Sequence, residues 1–240
     1  MALIPAGEYR PLYLTPDTPQ QQVAAVLIDK LAVSNALYYE FTHSHANWQK
    51  DKVPALFAEA QYLQHWQYLQ GNWAPKSDGL QQPVNNVSWF AAQAYCHALG
   101  KRLPKVNEWE RAASASENQM DGRSEAAYRQ KILDWYSRPN TGEPSNIGQG
   151  MPNYWGLYDM HGLIWEWTLD FNSALVTGES RGDSGIDQTL FCAAGASGAA
   201  DPNDYAAFMR FGLRSSLKAK YTLANLGFRC ATEVNKGKYQ

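Results

Sequence analysis

Hydrophobic and polar positions change period several times along the chain. "MALIPAGEYR" opens with strand-like alternation and a turn glycine, and "AAVLIDKLAVS" is a Val, Leu and Ile run that predicts a strand. Ser34 then predicts the N-cap of a helix over "NALYYEFTHS", and "VPALFAEAQYLQHW" predicts a second short helix. The sharpest period lies in "VSWFAAQAYCHALG": Ser88 caps the first turn, alanines fill the body, and Gly100 supplies the left-handed residue that ends it. Trp89, Ala92, Cys96 and Leu99 share one face at helical spacing, which turns Cys96 inward. Pro104 precedes another predicted helix, carrying Trp109. From 136 to 205 Gly, Pro, Asn, Ser and Asp predominate, predicting loops and turns with short strands among them. Within that stretch "GLYDMHGLIWEWTLDF" has two glycines that disfavour a helix. Ile164, Glu166 and Thr168 alternate there with Trp165 and Trp167, as in a turn that enters a strand.

The 240 residues suffice for one substantial domain, taken as residues 1–240. A formal charge of −2 with no basic block argues against nucleic acid and anionic membranes as partners. No apolar run approaches the ~20 residues of a spanning helix, so no membrane insertion is expected. Nine tryptophans and fourteen tyrosines point first to packing and second to the walls of a cleft. No signal peptide is visible, which leaves a cytoplasmic protein or one whose leader lies outside this sequence. Three cysteines, Cys96, Cys192 and Cys230, suit one pair plus a free thiol in an exported protein and three thiols in a cytoplasmic one.

The chemistry-bearing residues are few. Asp159 and Glu166 flank a tight turn with exposed carbonyls, and hard oxygens of that kind suit Ca²⁺ better than a transition metal. The same residues equally fit a plain structural role, with Asp159 capping the turn and Glu166 meeting an arginine. His43 and His45 could chelate, but no third ligand lies nearby. His65 and His97 look ordinary, and His161 sits beside the turn. No P-loop, dinucleotide fingerprint, nucleophile elbow or HExxH occurs.

Five segments in order carry a resemblance: "IPAGEY", "IDKLAVSNALYYEF", "PVNNVSWFAAQAYCHALGKRLP…NEWERAA", "NYWGLYDMHGLIWEW" and "NLGFRCA". Together they resemble the formylglycine-generating enzyme, or sulfatase-modifying factor, family over nearly the whole chain. The resemblance implies a loop-rich α+β domain, a variant of the C-type lectin fold. It also implies a disulfide between Cys96 and Cys230, hence a periplasmic or secreted setting, and native residues upstream of Met1. One calcium site maps onto Asp159, the carbonyls of Gly162 and Ile164, and Glu166. A second begins at Asn146 and Ile147 but lacks its later aspartate.

The family's enzymes hold copper(I) on two cysteines to oxidise a substrate cysteine, and here those positions fall on Ala200 and Ala206. Alanine offers no soft ligand, so the resemblance implies a member without formylglycine-generating activity. Ser197, Tyr205, Arg214 and Asn225 remain to line the family's peptide groove, and Arg214 equally fits a buried partner of a carboxylate. The expected role is therefore a binding or accessory module for a peptide or protein client. The alternative is a copper-handling accessory protein, or a metal-dependent oxidase, with a relocated site at Cys192 joined by Met209 or a histidine. Lys105 stands where the family has a capping threonine, so the following helix is expected to start late, at Asn107.

Overall fold

The computed structural model describes residues 1–9, 20–138, 142–172 and 205–234. Four short strands come first: β1 (Ala2–Ile4), β2 (Gly7–Tyr9), β3 (Gln21–Val23) and β4 (Val26–Ile28). Helix α1 (Asn35–Ser44) follows, then the hairpin β5 (Gln67–Leu69) and β6 (Asn72–Ala74). Helices α2 (Trp89–Ala98), α3 (Val106–Ala113) and α4 (Ala126–Ser137) come next. The described chain closes with β7 (Trp165–Glu166), α5 (Tyr205–Ser216), β8 (Leu226–Gly227) and β9 (Ala231–Glu233). β4 is the middle strand of an antiparallel sheet, pairing Ile28 with Ala2 of β1 and with Ala231 of β9. The two ends of the described chain thus meet in one sheet. β2 pairs with β3, and β7 runs parallel to β8.

Local chemistry explains most of these elements. Ser34 Oγ accepts from the Leu37 N–H at 3.3 Å, and Ser88 Oγ from the Ala91 N–H at 3.2 Å, so both expected caps are in place. Gly100 follows the end of α2 at φ +66°, a conformation that an L side chain disfavours. Ala92 and Cys96 face the core as expected, but Leu99 is 53% exposed because it lies past the last helical turn.

Two helix expectations need correction. α3 starts at Val106 rather than Asn107: the Asp170 carboxylate accepts the Val106 N–H at 2.7 Å, and Glu108 accepts that of Lys105 at 2.8 Å. The distant Asp170 and the nearby Glu108 together do what a capping side chain at Lys105 would. Residues 53–66 form a series of turns instead of a helix. Ala58, Tyr62, Leu63 and Trp66 are buried at a spacing that mimics one. The backbone pairs elsewhere, with Glu59 N–H donating to the Lys220 carbonyl and Leu63 N–H, at φ +48°, to that of Asn86. Tertiary hydrogen bonds override the periodic pattern here.

The larger core cluster surrounds Tyr38, Tyr95, Trp167 and Phe228 and contains the Cys96–Cys230 disulfide. A second cluster packs Trp109, Leu157 and Met160 under the three-stranded sheet. Gly227 brings β8 against residue 84: a Cβ there would lie 2.3 Å from the Val84 carbonyl oxygen. The architecture is α+β and loop-rich, with little regular secondary structure.

Candidate functional site

Helix α5 places Ala206, Arg210 and Arg214 on one face, four residues apart. That face meets Glu110 of α3 and Tyr136 of α4. Arg210 donates from Nε at 2.9 Å and from Nη2 at 2.8 Å to the two Glu110 oxygens, and from Nη1 to the Tyr136 hydroxyl at 3.0 Å. Arg214 Nη1 also donates to Glu110, and its guanidinium lies 4.9 Å from the Trp109 ring centroid. Glu110 is 4% exposed and both arginines 7%. Burial works to raise the Glu110 pKa, but the charges and hydrogen bonds of Arg210 and Arg214 override it and hold the group at about 2. Arg214 is therefore the buried partner of a carboxylate. Arg210 and Glu110 had not been singled out in the sequence; the i, i+4 spacing of Arg210 and Arg214 on a helix is the signal that could have found them.

Beside this cluster lies a cavity of about 30 Å³, lined by Tyr9, Glu110, Tyr128, His161, Ala206 and Arg210 among others. It has room for one or two waters. His161 Nε2 donates to the Ala113 carbonyl at 2.9 Å, while its Nδ1 has no hydrogen-bond partner among the described residues. Burial, reinforced by Arg210, lowers the His161 pKa to about 3, so the ring is neutral at pH 7.

The Asp159 and Glu166 turn is equally well defined. Arg229, fully buried, donates to the Glu166 carboxylate from Nε and from Nη2, each at 2.8 Å, and Trp109 Nε1 adds a third donor at 2.7 Å. The remaining Arg229 donors reach the carbonyls of Asp29, Lys30 and Tyr158. Asp159, at φ +55°, accepts the Gly148 N–H at 2.6 Å, and burial pushes its pKa up. Both Glu166 oxygens are thus engaged by Arg229 and Trp109. In this arrangement Glu166 serves an arginine, and the donors left for a calcium ion are Asp159 and the carbonyls of Gly162 and Ile164. Of the residues expected to begin a second site, Ile147 has its N–H bonded to the Gln81 carbonyl, and the next residue, Gly148, is the one that meets Asp159.

The other expected residues are placed as follows. Asn225 is half-buried, and its carbonyl accepts the Trp165 N–H at 2.7 Å, which aligns β7 with β8. Tyr205 is the first residue of α5, though its side chain, like Ser197, Ala200 and Cys192, lies outside the described residues. His43 and His45 use their Nδ1 atoms on the Tyr39 and Phe41 carbonyls of their own helix. Among the described residues no three His, Cys, Asp or Glu side chains group as a metal site.

A loop-rich α+β domain bridged from α2 to the segment before β9, with Ala206 on the helix face that meets Glu110, belongs to the class of formylglycine-generating-enzyme-like domains. The family model described as the sulfatase-modifying factor enzyme 1-like domain matches residues 1–234, and the chain belongs to that family. Similar relatives include the formylglycine-generating enzymes of Thermomonospora curvata, 28% identical over 224 residues, and Streptomyces coelicolor, 30% identical over 202 residues. A Bos taurus relative named inactive C-alpha-formylglycine-generating enzyme 2 is 31% identical over 183 residues. The matches cover 72%, 71% and 71% of this chain, and 72%, 59% and 57% of those relatives in turn. Solved structures that share the fold include the following two. CarF superposes with a TM-score of 0.54 at 15% identity, covering 98% of each chain. PvdO from Pseudomonas aeruginosa superposes with a TM-score of 0.52 at 18% identity, covering 97% of this chain and 93% of its own.

Proposed function

We propose that this chain is a family member without formylglycine-generating activity, acting as a binding or accessory module for a peptide or protein client. The observation that carries the proposal is Ala206. The resemblance assigns this position to a copper-binding cysteine, and the helix directs it, buried, to the cavity beside Glu110 and Arg210. A methyl group cannot ligate copper(I), which takes soft sulfur donors. Beside that cavity Arg210 and Arg214 are paired with the buried Glu110. That relatives of similar identity include both enzymes and a protein named inactive makes the residue, rather than overall similarity, the deciding feature. The Cys96–Cys230 bridge supports an oxidising compartment, periplasmic or extracellular.

Two assays test the proposal. Incubation with copper(I), oxygen and a sulfatase-derived cysteine peptide is expected to leave the peptide mass unchanged, and conversion to formylglycine would refute the loss of activity. Peptide display on the intact protein should return a consensus binder whose affinity falls about tenfold or more in Tyr205→Ala, the effect of losing an interface aromatic. Failure to enrich any peptide would refute the client-binding role. Tight copper(I) binding that is lost in Cys192→Ala would favour the relocated-metal alternative.

A further inference from the structure

A polar cavity of about 180 Å³ lies between the end of α1, the turn after it and the β5–β6 hairpin, and it shares no lining residue with the cavity at Ala206. The engineered apolar cavity that holds benzene measures about 150 Å³, so this space admits one ring-sized molecule. Lys50 is the notable group in its wall. The ammonium lies 3.9 Å from the Trp73 ring centroid and donates to the carbonyls of Trp66 at 3.2 Å and Gln64 at 3.4 Å. Those two bonds use two of its three N–H donors. Among the described residues no carboxylate lies within ion-pair distance of Lys50, and burial pulls its pKa below the usual lysine value. A partly desolvated cation held only by neutral carbonyls and a ring face favours an incoming anion.

The rest of the wall narrows the chemistry. Gln49 spends its amide N–H on the Thr42 carbonyl at 3.3 Å, leaving its oxygen free among the described residues. Asn72 offers a whole amide with no bond there, and Asp51 and Lys52 contribute one charge of each sign. A bare anion would meet Asp51 unfavourably, whereas hydroxyl groups can donate to Asp51 and Gln49 and accept from Asn72. We propose that this cavity binds a small polyhydroxy carboxylate, such as a sugar acid, with its carboxylate on Lys50 and its hydroxyls on Gln49, Asp51 and Asn72.

The test is an NMR titration of the ¹⁵N-labelled full chain with D-glucuronate, D-glucose and acetate, following the Trp73 indole N–H. Glucuronate should shift that resonance saturably and bind about tenfold more tightly than glucose or acetate, the size of one charge-assisted hydrogen bond. Lys50→Gln should weaken glucuronate about tenfold, and Lys50→Arg should restore most of the affinity. No saturable shift, or equal affinity for glucuronate and either control, would overturn the proposal. So would undiminished binding in a folded Lys50→Gln variant. Because Lys50 also ties two backbone carbonyls, the ranking of the three probes on the unmodified chain stands as a test independent of that variant.

Discussion

Glu166, buried, accepts three donors; the residues alone left a calcium ion or an arginine open, and the family resemblance assigned it to the ion. The sequence showed a carboxylate on a strand beside a glycine turn, a pattern that serves a calcium ion or an arginine equally well. It could not show that Arg229, 63 residues on, delivers two nitrogens to the same carboxylate. Glu166→Gln should cost about 3–5 kcal/mol, because it leaves the buried guanidinium without a countercharge. Measured as a urea midpoint, the loss should be equal with calcium and with chelator. A loss confined to calcium-containing buffer would assign Glu166 to the ion instead. Arg214 was harder to read, since a groove-lining arginine and a buried one look alike in sequence. What decides its state is Glu110, which reaches it only through the packing of α3 against α5.

At the scale of elements, caps were legible where the capping residue is local, as at Ser34 and Ser88, and not where it is remote. Asp170 is 64 residues from the N–H it accepts, and the local acceptor Glu108 serves the Lys105 N–H from inside the helix, so Lys105 itself gave no sign of where α3 starts. Asp170→Ala should lower stability by about 1 kcal/mol, as for loss of a helix cap, and amide exchange should report the opening in the first turn of α3. Asp170→Asn, which keeps an acceptor, should recover most of that loss. The helices α4 and α5 were missed for a physical reason. α5 turns Arg210 and Arg214 inward, so its buried face is partly charged and carries no simple apolar stripe. In α4 only Ile132 is buried, and the pattern fades against solvent. The converse error at 53–66 came from a stripe that was real but was met by backbone bonds to Asn86 and Lys220.

Across the whole molecule the buried titratable groups set an acid limb to stability. Burial holds His161 at about 3, and burial together with Lys50 holds His65 at about 4, both below the unfolded value near 6.5. The unfolded chain therefore takes up these protons first, and the stability present above about pH 6.5 is lost as pH falls toward the folded values. Each group contributes a slope of about 1.4 kcal/mol per pH unit inside its window. Glu110, held at about 2 against an unfolded value of 4.5, extends the loss below pH 4.5. Urea midpoints should hold from pH 7.5 to about 6.5 and fall from there to 4.5, and His161→Phe should flatten that slope by about half. An unchanged slope would show that His161 is not the group that titrates. The five ordered motifs carried the family resemblance, and that resemblance implied both the α+β class and the Cys96–Cys230 bridge, which the residues alone had left open. That bridge has one more effect. It joins residues 134 apart, and α3, α4, β7 and α5 all lie between its ends. A protease that cuts once anywhere between them produces two polypeptides that still migrate as one molecule, and the cut appears on a gel only after a reductant is added.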